Sequence, residues 1–161
     1  MMSKQKQIET LREQYNLVKD NKDSAKIVSD KIALIDKEVV DYKLSFIKNN
    51  PKSFVSKIFK AMEEPVIPEA PILANGKKDS TFAYRYYKTH FFDNIDFSDD
   101  RLLKTPIFQN KVKQYLDKLT PQTPDSIAIS TDILIEKGRA NEEVFKYLVN
   151  WITYNYESSK I

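Results

Sequence analysis

A dense run of aromatic residues between Thr81 and Phe108 constrains the fold more than any other feature of this chain. The run contains eight aromatic side chains: Phe82, Tyr84, Tyr86, Tyr87, Phe91, Phe92, Phe97 and Phe108. Because one aromatic side chain can bury roughly 150–250 Å², this density predicts the centre of a core. Positions 82, 86 and 89 share one helical face, and 84, 87 and 91 share the next. We therefore expect a helix, capped by Ser80 and running to about Phe92, that is covered on more than one side.

Glycine usage indicates the fold class. Only 2 of the 161 residues are glycine, whereas sheet proteins need glycine in their tight hairpin turns. The hydrophobic content of 41% and the charged content of 30% are those of a globular chain. We expect an all-α protein in which an N-terminal antiparallel helical hairpin precedes a multi-helix domain packed around the aromatic helix.

The first 49 residues predict that hairpin, or a helical linker. One helix is expected from about Ser3 to Lys19 and a longer one from about Ser24 to Lys48, capped by Asp23 or Ser24. The short polar break between them makes the two helices antiparallel neighbours. Apolar residues alternate at spacings of four and three along the longer helix, as in a coiled-coil seam: Val28, Ile32, Ile35, Val39, Tyr42 and Phe46.

Residues 50–161 are predicted to form the second, helical domain. Asn50 suits a helix N-cap and Pro51 the first helical position. The segment from Glu64 to Asp79 contains three prolines and predicts an ordered, extended connection. Its four large aliphatic side chains are expected to be buried: Val66, Ile67, Ile72 and Leu73.

Four further helical segments are expected after the aromatic helix. A short one begins at Ser98, and longer ones follow the caps Thr105, Thr123 and Asn141. Gly138 is expected at the C′ position of the helix that starts after Thr123.

His90 and one acidic segment are candidate sites for catalysis or metal binding. His90 is the single histidine, and beside Phe91 and Phe92 it is best interpreted as a structural hydrogen-bonding residue. The acidic segment FDNIDFSDD lacks the glycine and the final glutamate of a calcium loop, so helix capping explains its carboxylates better: Asp93, Asp96, Asp99 and Asp100.

Basic residues raise the question of nucleic acid. Residues 1–60 contain 13 Lys/Arg against 8 Asp/Glu, but the lysines are dispersed among acids and are typical of a solvated helical face. The segment Tyr84-Arg85-Tyr86-Tyr87-Lys88 is either a binding patch or the alternating faces of a buried helix. With no nucleophile–base pair, phosphate loop or metal-ligand spacing, we expect no catalytic, cofactor or metal residues and no nucleic-acid partner. No apolar run is long enough to span a membrane.

Several segments resemble a helical domain of unknown function from bacterial cell-envelope proteins. They are THFFDNIDFSDDRLLKTPIFQNKVKQYLDKL, TPDSI and EVFKYLVNWITYNYESSKI, preceded by NPKSFVSKIFKAMEEPVIPEAP. In TlpA-type thiol–disulfide oxidoreductases a similar domain precedes a thioredoxin-like domain with a CxxC motif. The resemblance covers roughly residues 49–161, and the hairpin before it looks like the linker from a small N-terminal β domain.

The resemblance implies a function for the fragment. In the family the chain continues through further helices into the thioredoxin fold, so we expect a domain truncated at its C-terminus and exported by a signal outside this sequence. The expected role is a non-catalytic accessory domain of the cell envelope or periplasm that positions the redox domain or contacts a client protein. The alternative is an independent helical scaffold that binds a protein or peptide.

Overall fold

The computed structural model describes residues 2–157, apart from the side chains of residues 2, 3 and 5. This range contains helices and no strand, with one isolated antiparallel bridge between Ile72 and Lys78. The expected all-α class is confirmed. Residues 158–161, the end of one segment that carries the resemblance, lie outside the described range. The elements are α1 (Met2–Val18), α2 (Lys22–Asn49), α3 (Phe54–Ala61), α4 (Phe82–His90), a 3₁₀ helix (Asp100–Lys104), α5 (Pro106–Lys118), α6 (Pro124–Gly138) and α7 (Glu142–Tyr156).

The chain divides into two compact units, the first ending at Ser56 and the second beginning at Lys57. This division into compact units does not test the predicted domain boundary between residues 49 and 50, which stays a prediction. Within residues 2–157, no helix combines the length and the apolar character that a bilayer crossing requires.

The first unit contains the expected helical hairpin, α1 packed against α2. An ion pair between Lys4 and Glu38 joins the start of α1 to the later part of α2. This contact shows that the two helices are antiparallel. The predicted cap at Asp23 or Ser24 is wrong, because the Asn21 side chain accepts the backbone N–H of Ser24 at 3.1 Å. The capping residue therefore lies within the polar break, two or three residues before the predicted positions.

The predicted start of α3 at Asn50 and Pro51 is also wrong. Asn50 instead closes α2, since its backbone N–H and its side chain both donate to the carbonyl of Phe46. Ser53 caps α3 by accepting the backbone N–H of Ser56 at 3.1 Å. The capping hydroxyl of Ser53, three residues before a free helical N–H, therefore sets the start of α3, and Pro51 does not.

The connection between α3 and α4 is extended, as expected, but its aliphatic side chains are not buried. Val66 is 87% exposed and Ile72 is 72% exposed, and Ile67 and Leu73 are exposed as well. The prolines keep the segment out of helices and sheets, so no neighbouring layer covers these side chains. A turn at Gly76, whose φ of 76° favours glycine, brings Ile72 opposite Lys78.

The core of the second unit is built on aromatic rings, but the aromatic helix α4 lies at its edge. No residue of α4 is buried, so the expectation that this helix is covered on more than one side is wrong. Buried core residues lie on both sides of it in the chain, at Ala61 in α3 and at Phe91 directly after α4, each 1% exposed. Ring contacts with centroids 4.8–6.0 Å apart join Phe91 to Phe92, Phe92 to Phe97 and Phe97 to Phe108, and Tyr115 contacts both Phe91 and Phe92.

The helix caps of the second unit depend on several side chains. Thr123 and Asn141 cap α6 and α7 as expected, accepting the backbone N–H groups of Ser126 and of Glu143 and Val144. Ser80 does not cap α4. The N-cap residue is Thr81, without a side-chain cap, and the Asp79 carboxylate accepts the backbone N–H of Thr81 at 2.9 Å just before the helix.

Gly138 has a different role from the predicted left-handed C′ residue. It is the last residue of α6, and its φ is not positive, since Gly76 is the glycine with positive φ among the described residues. A Cβ at position 138 would lie 2.7 Å from Leu148 Cδ1 and 3.4 Å from Phe145 Cα. Glycine therefore permits the close approach of α6 and α7.

Candidate functional site

His90 occupies the end of α4 and has a local partner. Its Nδ1 lies 2.6 Å from Asp93 Oδ2, and its ring centroid lies 4.1 Å from that of Tyr86. Across residues 2–157, no group of three or more His, Cys, Asp or Glu side chains is arranged to hold a metal ion. These contacts hold the His90 ring against Asp93 and Tyr86 at the end of α4.

The acidic segment forms a charge network that the sequence did not reveal. Asp99 caps the 3₁₀ helix and receives two hydrogen bonds from the Arg101 guanidinium, at 2.7 and 2.6 Å. Lys57 of α3 bridges Asp96 at 2.8 Å and Asp99 at 2.7 Å. These bonds hold the pKa of Asp99 far below its usual range, with Arg101 the largest cause, and the Lys57 bond lowers the pKa of Asp96. Because Asp96 and Asp99 are already paired with Lys57 and Arg101, these carboxylates have a structural role.

The segment from Tyr84 to Lys88 is the candidate that opens onto a cavity. A cleft of about 420 Å³ lies among α4, α5 and α6, a size within the range of ligand pockets. Arg85, Lys88, Thr89 and Phe92 reach it because their spacing of three, four and seven places them on one helical face. The lining residues are Tyr84, Arg85, Lys88, Thr89, Phe92, Tyr115, Ile133 and Lys137.

The other two tyrosines of that segment face elsewhere. Tyr86 stacks between Phe82 and His90 along α4. Tyr87 packs edge-on against Phe91, and burial, followed by its hydrogen bond to Glu64, raises the pKa of Tyr87 to about 12. The predicted patch is therefore split, and only Tyr84, Arg85 and Lys88 belong to the cleft.

Lys88 is the central cation of the cleft. Its Nζ donates a hydrogen bond of 3.0 Å to Ser130 Oγ and lies 5.3 Å from the centroid of the Tyr115 ring. Ser130 is fully buried and is itself hydrogen-bonded to the Thr120 hydroxyl at 3.0 Å. Burial lowers the pKa of Lys88, because partial removal from water disfavours the ammonium form.

The charges at the cleft are of one sign. Three cations line it, and no carboxylate does. Arg85 is already paired with Asp79 at 2.6 Å. Within the described part of the chain, Lys88 and Lys137 have no carboxylate within 4.0 Å. The cleft is therefore electropositive, and residues 2–157 provide no counter-ion for two of its cations.

The apolar surface of the cleft has a buried floor and an exposed rim. Phe92 and Tyr115 form the floor, while Tyr84 and Ile133 are 46% and 40% exposed at the rim. The Tyr84 hydroxyl donates to the carbonyl of Leu119 at 2.7 Å, which holds that ring in place. Tyr115, Ile133 and Lys137 come from other helices, and no sequence signal connected them with the Tyr84–Lys88 segment.

The fold and the cleft together define an all-α domain with an electropositive, aromatic-lined cleft and no nucleophile–base pair among the lining residues. The chain belongs to the family described as Domain of unknown function (DUF5106), which it matches over residues 19–161. Neither the curated proteins nor the solved structures contain a significant match to this chain.

Proposed function

We propose that this domain is a non-catalytic binding module that holds a segment of another polypeptide in the cleft among α4, α5 and α6. The observation that carries the proposal is the cleft itself, which combines an aromatic floor with two cations that form no ion pair with any residue the structure describes. Tyrosine and arginine are enriched where proteins bind each other, because they supply large contact areas and directional hydrogen bonds. The cleft contains both residue types.

Binding without chemistry is supported by the residues that line the cleft. The Thr89 hydroxyl has no histidine or carboxylate partner among the lining residues that could activate it as a nucleophile. Ser130, which Lys88 contacts, is fully buried. The sequence contains no cysteine, so thiol–disulfide exchange would need cysteines from another segment or another protein. Holding a client is the role that remains for these groups in such a reaction.

The proposed setting is the cell envelope, where the domain would be an accessory to a thioredoxin-like domain of the same parent chain. Support for this setting comes from the resemblance of residues 49–161 to domains that precede such redox domains. Sequencing the gene in both directions tests it. A downstream CxxC domain and an upstream export signal would support the setting, whereas a complete cytoplasmic reading frame ending at Ile161 would refute it.

An independent helical scaffold that binds peptides is the second candidate function, and the same cleft favours it. Both functions require peptide binding at the cleft and differ only in the parent gene. The gene sequence therefore separates them, while the following experiment tests what they share.

Peptide binding is tested by blocking the cleft with a bulky side chain. Thr89 is an exposed lining residue, so Thr89→Trp should fill the cleft without disturbing the core. Ala83→Trp is the matched control, because Ala83 is exposed on the same helix and does not line the cleft. An array of short synthetic peptides that vary in net charge and aromatic content is probed with wild type and both variants.

We expect some peptides to be retained by wild type and by Ala83→Trp and to be lost by Thr89→Trp. Retention by all three proteins would place binding elsewhere, and retention by none would refute the proposed function. Far-UV circular dichroism of each variant confirms that the helices are intact.

A further inference from the structure

We propose that the cleft recognises a carboxylate next to an apolar or aromatic side chain, as found in an acidic peptide, and that Lys88 binds the carboxylate. The inference deepens the proposed function and rests on it, because it names the chemistry of the polypeptide segment that the cleft holds. It is argued from the donors, the charges and the apolar surface of the cleft.

The donors of Lys88 provide the first argument. A lysine ammonium has three N–H donors, and in the described residues one of them is used, on Ser130 Oγ. The Tyr115 ring lies beside the ammonium without accepting a conventional hydrogen bond, at 5.3 Å from Nζ to the ring centroid. Two donors therefore remain for a ligand, and a carboxylate oxygen is a strong acceptor for them.

The electrostatics of the cleft provide the second argument. Charged side chains that are partly removed from water are normally paired with an opposite charge. Within the described range the hydrogen-bond partner of Lys88 is a neutral hydroxyl, and neither Lys88 nor Lys137, which lines the same cleft, forms an ion pair. The lowered pKa of Lys88 reflects this uncompensated burial. An anionic ligand would supply the missing counter-charge.

The apolar surface determines what the anion must carry. Phe92 and Tyr115 are buried at the floor, whereas Tyr84 and Ile133 remain exposed at the rim. An apolar or aromatic group beside the carboxylate would cover the rim residues, and aromatic pairs attract each other beyond the burial of area. Free phosphate would leave this surface uncovered.

A nucleic acid is disfavoured as the occupant by the number and arrangement of the cations. Nucleic-acid sites neutralise several successive phosphates with a row of lysines and arginines. Here one of the three lining cations, Arg85, is already paired with Asp79. The remaining two, Lys88 and Lys137, suit a single anionic group.

The test compares two small probes of the same shape, 3-phenylpropionate and its neutral amide, 3-phenylpropionamide. Each is titrated against the protein and followed by the chemical shifts of backbone amide groups in NMR spectra. The variant is Lys88→Met, which keeps the length of the side chain and removes its charge. Lys104→Met is the matched control, since Lys104 is exposed, belongs to the 3₁₀ helix and does not line the cleft.

We expect the acid to bind wild type about tenfold more tightly than the amide, because one hydrogen-bonded charge is worth about that factor. Lys88→Met should reduce the affinity for the acid to that for the amide and leave the amide unaffected. Lys104→Met should behave as wild type.

Equal binding of acid and amide to wild type would overturn the inference, and this comparison stays decisive even if Lys88→Met does not fold. Failure of the acid to bind wild type would also overturn it, as would displacement of the acid by a single-stranded oligonucleotide. These outcomes are separate from the peptide array. Retention of neutral peptides that Thr89→Trp abolishes would leave the proposed function intact while the carboxylate inference fails.

Discussion

Replacing Phe91 by alanine should lower the stability of the second unit more than a change at the exposed rim of the cleft, such as Ile133→Ala. Phe91 is 1% exposed, so truncation leaves a cavity instead of a surface dent. Its ring packs at centroid distances of 5.5 Å from Tyr87, 5.1 Å from Phe92 and 6.0 Å from Tyr115. The ring also lies 4.5 Å from Lys111 Nζ.

The expected magnitude follows from these contacts. Truncation of a buried phenylalanine costs roughly 3–5 kcal/mol, because the transfer energy of the ring and a cavity term add. Three aromatic neighbours favour the upper half of that range, since each ring pair contributes roughly 0.5–1.5 kcal/mol. Lys111 keeps its ion pair with Glu64 at 2.8 Å and so does not become an unpaired buried charge. We expect about 4 kcal/mol for Phe91→Ala and a similar loss for the neighbouring Phe92→Ala.

The single tryptophan provides the assay. Trp151 lies in α7, so its fluorescence during urea titration reports on the second unit and not on the hairpin. With a urea slope of about 2 kcal/mol per molar, a loss of 4 kcal/mol lowers the midpoint by about 2 M. Tyr154→Ala is the matched control, because Tyr154 is 83% exposed on the same helix as Trp151, and surface changes are usually within about 0.5 kcal/mol.

Midpoints close to wild type for both Phe91→Ala and Phe92→Ala would refute the reasoning that the aromatic rings form the core. A midpoint change in Tyr154→Ala as large as that in Phe91→Ala would show that the probe reports on local changes in α7. In that case the ring contacts would not explain the result.

Three further predictions concern stability. Asp99→Asn should lower the free energy of unfolding by about 1–3 kcal/mol near neutral pH. Because Asp99 has a lowered pKa, its stabilisation is present above the ordinary value of 3.8 and is lost as pH falls below it. In urea titrations, the difference in free energy of unfolding between wild type and Asp99→Asn should therefore shrink from neutral to acidic pH. A constant difference would contradict the charge argument. Gly138→Ala should destabilise by about 1–3 kcal/mol in thermal melts, since its Cβ would meet the buried Leu148, and a melt above wild type would mean that helix propensity dominates. Asn141→Ala should lose about 1 kcal/mol by removing the cap of α7, and Asn141→Ser, which restores a capping oxygen, should recover most of it.

Local signals predicted where helices occur better than which side chain ends them. Thr123 is recognisable as a cap because a proline follows it, and Asn141 because two glutamates follow it. Asn50 misled the prediction, since an asparagine between two helices can close the first or open the second. The choice depended on Ser53, whose hydroxyl reaches the free N–H of Ser56.

The cleft was predictable only in part. Tyr84, Arg85 and Lys88 were recognised as a candidate patch from their neighbouring positions, and periodicity placed them near one another on a helix. Tyr115 and Lys137, which complete the cleft, lie about 30 and 50 residues further along the chain, at separations where helical periodicity carries no information.

The sequence by itself determined the helical class, the hairpin and the aromatic character of the core. These properties follow from glycine scarcity, from the spacing of apolar residues and from the size of aromatic side chains, all of which act over a few residues. Only the tertiary structure decided that α4 lies at the core's edge and that Val66 and Ile72 are exposed. It also decided that Lys88 faces a buried serine instead of a carboxylate. The physical reason is that burial and charge pairing depend on which distant helices pack together, and the pattern within one helix does not specify its neighbours.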